Sequence, residues 1–367
     1  MFSVVLASLG FLSTTAIGGA PLFMIVALSS IYLGWRHINK FGFYFAFACI
    51  VWAALGLFFW SINGYYYGSY ADTGSSGLVF PLAIVIGFFS IFVVNFKYLN
   101  TFLFLVAFEV FIGYIEYVIG VRSIIGVEFK GEAEFGQLDY LYSNRVFGLG
   151  LNSSAFAAKL LFGLVIICYF KSNARIQRYH YYLLAIFISG FFVNFSRTSL
   201  VSCAIALIVF LYLHGSRRFF ILFIPIVFVT IGAFDYFWNE FTRGGGGIDY
   251  SGRDDIFPVF SHFITEHPWL GNFGFKYYFG GIDGVYHAHN SYLQVAATSG
   301  LPFLIALLFF IFYFPKFQLI IICLPLLIYS IFQYGLFWGA SLYDQIFWFL
   351  LFISFFPNYQ KFLLNSR

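Results

Sequence analysis

The chain has 367 residues, of which 61% are hydrophobic, 25% are aromatic and only 9% are charged, with a formal net charge of +4. A soluble domain carries about 25% charged residues, so this composition excludes a soluble globular protein and predicts an integral membrane protein. The length is enough for about ten to twelve spans of roughly 20 residues each. We expect membrane lipids around the chain and no nucleic-acid partner.

The apolar runs predict an all-α, polytopic membrane protein in which residues 1–367 form a single transmembrane domain. About twelve spans are expected, near 2–17, 20–35, 41–61, 78–95, 99–120, 153–170, 179–195, 199–213, 219–236, 289–314, 317–333 and 340–357. The first run lacks the basic region of a signal peptide, so we expect it to be retained. All cysteines lie inside apolar runs and are predicted to be small core residues: Cys49, Cys168, Cys203 and Cys323.

The positions of the basic residues predict the orientation of these spans. Connections after the even-numbered spans carry basic residues and no acid: Arg36, Lys40, Lys97, Lys171, Arg175, Arg178, Arg217, Arg218, Lys316, Lys361 and Arg367. The acidic residues lie in the alternate connections or inside spans. Both termini are therefore predicted to face the cytoplasm, and the long loops to face outward.

The longest outward connection covers residues 237–288, a length that usually indicates a working loop. It begins with Gly244 to Gly247, which suit either a hinge or a plain spacer. Ser251 is then expected to cap a helix, whose apolar positions recur at helical spacing and would pack on the membrane domain: Ile256, Phe257, Val259, Phe260, Phe263 and Ile264. Pro268 and Gly271 are expected to end this region of helix.

Two arginines in outward connections are candidates for binding an anion. Arg197 follows Ser196 in the very short connection "NFSRTSL", and Arg253 lies in "YSGRDD" near the start of the loop helix. A guanidinium group binds phosphate in a bidentate manner and keeps its charge, and a helix N-terminus favours the same ligand. The structural alternatives are a snorkelling or carboxylate-paired Arg197 and a surface ion pair between Arg253 and a neighbouring aspartate.

Polar side chains also crowd the start of the tenth predicted span, where His287, His289 and Asn290 stand in "VYHAHNSYL". A histidine with a pKa near neutrality can accept a proton from a sugar hydroxyl. The alternatives are an ordinary interfacial histidine or a zinc site formed with His262 or His267. The irregular spacing, with no acid or cysteine to complete the set, argues against zinc.

Three charged residues fall inside predicted spans. Glu109 and Glu116 share one helical face of the fifth span, and Lys159 lies in the sixth. Intramembrane charges are candidates for function. A structural Glu–Lys bridge is the favoured interpretation, and a proton path is the alternative.

The second half of the chain resembles the O-antigen polymerase and O-antigen ligase superfamily of bacterial inner membranes. The resemblance covers about residues 180–315 and runs through four motifs in order. These are Ser196–Arg197, Arg253 in "SGRDDIF", the stretch "HPWLGNFGF", and the pair His289–Asn290 followed by Gly300. In "GLPF", at residues 300–303, the chain departs from the family pattern, which often has a second glycine there.

The resemblance implies a metal-independent glycosyltransferase without a cofactor, acting on oligosaccharides linked to undecaprenyl pyrophosphate. Its site would face the periplasm. Arg197 and Arg253 would bind the pyrophosphate, His289 would position or deprotonate the acceptor hydroxyl, and His287 and Asn290 would contact substrate. A polysaccharide chain-length regulator is implied as a further partner.

Four functions remain open from the sequence. O-antigen polymerase is preferred because the chain is short and very aromatic. O-antigen ligase, which transfers polymer to lipid A–core, and a capsule or exopolysaccharide polymerase would use the same residues. A lipid-linked sugar transporter would place its substrate residues near the midplane of the membrane, whereas the arginines and histidines here are predicted at one surface.

Overall fold

The computed structural model describes residues 2–64, 79–131, 143–214, 253–281, 284–337, 339, 341–356 and 359. These residues are predominantly helical, with two small two-stranded sheets, and the predicted all-α class is confirmed. The predicted ninth span (219–236), the glycines at 244–247 and Ser251 lie outside the described residues.

The first half of the chain forms five helices and a hairpin within the described residues. They are α1 (Phe2–Leu12), α2 (Ala20–Gly34), α3 (Lys40–Asn63), α4 (Phe80–Phe89), α5 (Phe96–Ile119), β1 (Val121–Ser123) and β2 (Glu128–Phe129). Asn39 and Asn95 cap α3 and α5, where each side-chain oxygen accepts a backbone N–H. Gly64 and Gly120 follow these two helices in the left-handed conformation that commonly ends a helix.

The second half supplies the remaining described elements. They are α6 (Ser153–Ser172), α7 (Arg178–Asn194), α8 (Arg197–His214), α9 (Arg253–Glu266), β3 (Phe279–Gly281), β4 (Gly284–Tyr286), α10 (Ser291–Ser299), α11 (Leu301–Tyr313), α12 (Phe317–Phe332) and α13 (Leu342–Phe352).

Three of the described helices, α3, α5 and α6, are long and apolar enough to cross a membrane. Six shorter apolar helices accompany them, at Phe2–Leu12, Phe80–Val93, Arg197–Leu213, Leu301–Tyr313, Phe317–Phe332 and Leu342–Phe355. An integral membrane protein is the consequence, because exposed helices this apolar need a lipid environment. The total of twelve spans stays a prediction.

Helix α6 forms the centre of the bundle. It contacts α5, α7, α8 and α12, and its residues from Phe156 to Cys168 are all buried. Helix α3 lies at the periphery, where large side chains such as Phe43, Phe47 and Phe58 are exposed. The four cysteines are buried free thiols, as predicted.

The charged residues inside the spans form the predicted structural bridge. Nζ of Lys159 lies 2.5 Å from Oε1 of Glu109, and both side chains are fully buried. The same oxygen of Glu109 accepts the backbone N–H of Leu149 at 2.9 Å. Glu116 binds backbone instead, because its two oxygens accept the N–H groups of Ile124 and Gly148 at 2.9 and 2.7 Å.

The single span predicted over residues 289–314 was wrong, since the structure divides it into α10 and α11 at Gly300. Gly300 has φ +87°, and a Cβ there would lie 2.1 Å from the carbonyl oxygen of Trp269. Pro302 at the start of α11 has no N–H with which to continue the helix. A turn of backbone from residues 268–275 therefore fills the place that a continuous helix would need.

The turn at residues 268–275 also completes the C-terminal end of α10. The last four carbonyls of a helix lack partners inside the helix. All four in α10 accept hydrogen bonds, from the backbone N–H groups of Gly300, Asn272 and Gly274 and from the indole N–H of Trp52, at 2.8–2.9 Å. Gly271 allows this approach, because a Cβ there would lie 2.4 Å from the carbonyl oxygen of Ala297.

Candidate functional site

The site is built around the N-terminal end of α10. Asn290 caps this helix, since its Oδ1 accepts the backbone N–H groups of Tyr292 and Leu293 at 2.8 and 3.0 Å. An uncapped first turn would leave these donors unsatisfied. The side-chain oxygen of Asn290 is thus occupied by the helix, which gives this residue a structural role that the sequence did not suggest.

His289, directly before the cap, is held in a strained backbone conformation. Its φ of +47° is left-handed, a region that non-glycine residues adopt rarely and that is often associated with functional sites. Its N–H donates to Nδ1 of His287 at 3.1 Å, and the two imidazole centroids are 4.2 Å apart. Nδ1 of His289 is buried and has no hydrogen-bond partner among the described residues. This nitrogen is available to a ligand.

Gln294 of α10 joins the two segments that flank the β3–β4 hairpin. Its Oε1 accepts the backbone N–H of Ala288 at 2.9 Å, and its Nε2 donates to the carbonyl of Tyr277 at 2.8 Å. The side chain is 1% exposed. Because one buried amide binds both segments, Lys276 and His287 are held on the same side of α10.

Helix α9 brings Arg253 to the same place. The predicted amphipathic helix is confirmed, since Ile256, Phe260, Phe263 and Ile264 are buried against Ala288, Ala296 and Ala297. Arg253 is the first residue of this helix, so the packing of the helix fixes the backbone position of Arg253. The charge of Arg253 acts on His287, on His289 and on Tyr329.

Burial and neighbouring cations keep both imidazoles neutral. Burial and the charge of Arg253 lower the pKa of His289 to about 4. Burial, together with His289, Lys276 and Arg253, lowers the pKa of His287 to about 3. Desolvation and like charge both penalise the imidazolium form, so both pKa values lie below the near-neutral value that the sequence analysis considered for a base.

Arg197 begins α8 at the same end of the bundle. It follows Asn194 by three residues, and the amide of Asn194 donates to the carbonyl of Ser153 at 2.7 Å. The hydroxyl of Tyr329 donates to the carbonyl of the following residue, Ser154, at 3.0 Å. The charge of Arg253 acts on Tyr329, so this tyrosine links the start of α6 to the start of α9. Arg197 is partly exposed, and its convergence with His289 stays a prediction.

The sequence analysis missed Lys276 and Tyr334. Nζ of Lys276 lies 5.4 Å from the ring centroid of Tyr334, whose ring lies 5.4 Å from that of His287. Burial lowers the pKa of Lys276 to about 8, and Asp344 opposes this shift. The available signal was a lysine among aromatic residues, "FKYYF", in the long loop.

The histidines of the zinc alternative do not converge. His262 pairs with Glu266 at 3.3 Å on the exposed side of α9, and His267 packs on Phe263 at 4.8 Å between ring centroids. Among the described residues, no three His, Cys, Asp or Glu side chains are grouped so as to hold a metal ion.

Comparison with known proteins identifies the region that contains the site. Residues 182–308 match the model of a family described as O-antigen ligase. The matched region covers about a third of the chain and includes Arg197, Arg253 and His289. The match confirms the resemblance to the O-antigen polymerase and ligase superfamily. No curated protein and no solved structure matches the chain.

Proposed function

We propose that this protein is a glycosyltransferase of the O-antigen polymerase type. It joins oligosaccharide repeat units carried on undecaprenyl pyrophosphate, at the periplasmic face of the bacterial inner membrane. The observation that carries the proposal is the grouping of Arg253, His287 and His289 at the N-terminal end of α10, inside the region that matches the O-antigen ligase family.

The chemistry needs stabilisation of a diphosphate leaving group. The bond between the anomeric carbon and the phosphate oxygen breaks, and the diphosphate keeps the electron pair. A fixed guanidinium in a partly buried site stabilises the developing negative charge, and a bidentate contact with phosphate suits Arg253. In the proposal, Arg197 binds the same diphosphate from the start of α8.

The acceptor hydroxyl forms the new glycosidic bond and loses its proton. Nδ1 of His289 is a buried, neutral acceptor and can receive a hydrogen bond from this hydroxyl. The negative charge of the bound diphosphate raises the proton affinity of the imidazole, so the proton transfers to His289 as the new bond forms. His287 holds the turn that presents His289, and Asn290 holds the helix start behind it.

O-antigen ligase is the second candidate function, and the description of the matching family favours it. The two reactions use the same donor chemistry and differ in the acceptor. A polymerase transfers to another lipid-linked repeat unit, and a ligase transfers to lipid A–core.

The test is reconstitution of the purified protein in liposomes with synthetic undecaprenyl-pyrophosphate-linked repeat units. We expect lipid-linked polymer from the wild type, and a loss of rate of about 100-fold or more for His289→Ala and Arg253→Ala. His262→Ala is the matched control, because His262 lies exposed on α9 and should leave the rate unchanged.

The products separate the candidates. Polymer on the lipid carrier supports the polymerase, and transfer only when lipid A–core is added supports the ligase. Full activity of His289→Ala at normal protein levels would contradict the proposed site. Movement of intact lipid-linked units across the bilayer without bond formation would indicate the transporter.

A further inference from the structure

Lys276 belongs to the same site as the arginine and the histidines, although no motif marks it. It lies between the turn at residues 268–275 and β3, and its carbonyl oxygen accepts a hydrogen bond from the buried amide of Asn272 at 3.4 Å. Gln294 holds the carbonyl of the next residue, Tyr277. The backbone on both sides of Lys276 is thereby fixed to α10 or to the turn that packs on it.

The ammonium group of Lys276 faces the histidine pair across an aromatic ring. Its Nζ lies over the ring of Tyr334, and the ring of Tyr334 packs on His287. The charges of Lys276 and Arg253 both act on His287. Two cations from different segments of the chain, α9 and the segment before β3, therefore act on one imidazole.

Asp344, whose charge acts on Lys276, also binds the loop before α13. Asp344 accepts the backbone N–H of Phe337 at 2.7 Å and the hydroxyl of Ser341 at 2.9 Å. Its carboxylate thus stabilises the loop before α13 while it moderates the charge of Lys276. Two positive charges that act on the same imidazole favour a multiply charged anion nearby, because the anion interacts favourably with both of them.

We propose that Lys276 is a further substrate-binding residue, which contacts the diphosphate of the lipid-linked donor together with Arg253. This inference rests on the proposed function. Arg253 offers a planar, permanently charged fork, whereas Lys276 offers a compact charge on a flexible stem. In this proposal each of the two residues binds one phosphate group of the diphosphate.

A lysine in this environment makes anion binding dependent on pH. The pKa of Lys276 is lowered to about 8 in the empty site, so its charge is lost as the pH rises above 8. Among the described residues, Asp344, Tyr334 and His287 face it, and Arg253 acts on the same His287. Both histidines are neutral at this pH and Arg253 does not titrate, so Lys276 is the one of these cations that loses its charge.

The experiment measures the binding of inorganic pyrophosphate to the full-length protein in nanodiscs by calorimetry. We expect Lys276→Met to weaken binding by about tenfold or more at pH 7. Lys276→Arg should stay within about threefold at pH 7 and keep its affinity at pH 9.5, where the wild type loses it. Lys130→Met is the matched control, because Lys130 also lies over a tyrosine ring, at 4.3 Å from Tyr117, and its pKa is also lowered to about 8.

The outcomes separate this inference from the proposed function. If Arg253→Ala weakens binding and Lys276→Met does not, Lys276 is only a packing residue over Tyr334 and the inference fails alone. If the wild type binds no pyrophosphate, both proposals fail. If Lys276→Met does not fold, the comparison of wild type with Lys276→Arg at pH 9.5 decides, since equal losses of affinity would overturn the inference.

Discussion

Two clusters of charged side chains among the described residues are organised in opposite ways. At the centre of the bundle, Glu109 and Lys159 have opposite charges, lie 2.5 Å apart and are fully buried. At the start of α10, the positive charges of Arg253 and Lys276 both act on His287, and we call this pair of cations the like-charge cluster. The first arrangement pairs opposite charges within the fold, and the second directs two positive charges at one imidazole.

The difference supports a structural role for the first cluster and the proposed anion-binding role for the second. In a buried pair of opposite charges each charge compensates the other, and removing one partner destabilises the fold. A cluster of like charges is unfavourable until an anion arrives, so it is expected where an anion binds. The contrast also favours a structural Glu109–Lys159 bridge over a proton path, because the bridge joins α5 to α6 in the middle of the bundle.

The largest expected effect comes from breaking the central pair. Glu109→Leu leaves Lys159 buried without its counter-charge and should lower the free energy of unfolding by about 3–5 kcal/mol. The double variant Glu109→Leu/Lys159→Met should recover most of this loss, because it removes both charges. Thermal unfolding in detergent measures both, and equal destabilisation of the single and double variants would contradict the structural role.

An exposed ion pair supplies the control for this measurement. Arg122 and Glu128 lie 3.4 Å apart with side chains 25% and 49% exposed. Glu128→Gln should therefore change the free energy of unfolding by less than about 1 kcal/mol.

A smaller loss of stability is expected at the residue that assembles the like-charge cluster. Gln294→Leu keeps a similar volume but leaves the buried N–H of Ala288 and the carbonyl of Tyr277 without their partner, which should cost about 1–3 kcal/mol. It should also lower polymer formation, because Lys276 and His287 lose their common anchor. Thr298→Val is the control, since it removes only the contact of 3.5 Å between Thr298 and the amide of Gln294.

The smallest effect is expected from mild acidification, and it tests the like-charge cluster directly. Burial and Arg253 lower the pKa of His289 to about 4, so the imidazole is already neutral at pH 5.5 and stays neutral above it. Between pH 7.5 and 5.5, kcat/KM for polymer formation should change by less than about twofold through this group. An ordinary histidine would lose about tenfold, with a midpoint near its usual pKa of about 6.5.

The pH profile of the residual activity of Arg253→Gln tests whether Arg253 lowers the pKa of His289. Removing the neighbouring positive charge should raise the pKa of His289, so the acidic limb of the profile should move to higher pH. A limb near pH 6.5 in the wild type, unchanged in Arg253→Gln, would show that Arg253 and His289 are not electrostatic neighbours.

The match between sequence and structure is best where the signal is local. The apolar runs at α3, α5 and α6 gave helices with nearly the predicted limits, and the period of Ile256, Phe260, Phe263 and Ile264 predicted the buried face of α9. The match fails at Gly300, where the apolar run continues but the helix does not. There, a distant turn packs so closely that only glycine fits.

The sequence by itself determined that this is a helical membrane protein, because composition and periodicity are properties of neighbouring residues. Its local motifs and the family resemblance marked Arg253, His287 and His289 as candidates. Only the tertiary structure decided that Asn290 caps a helix, that Gln294 joins two segments, and that Lys276 lies beside the histidines. It also decided that the histidines are neutral, because a pKa depends on burial and on charges that the fold brings together from distant segments.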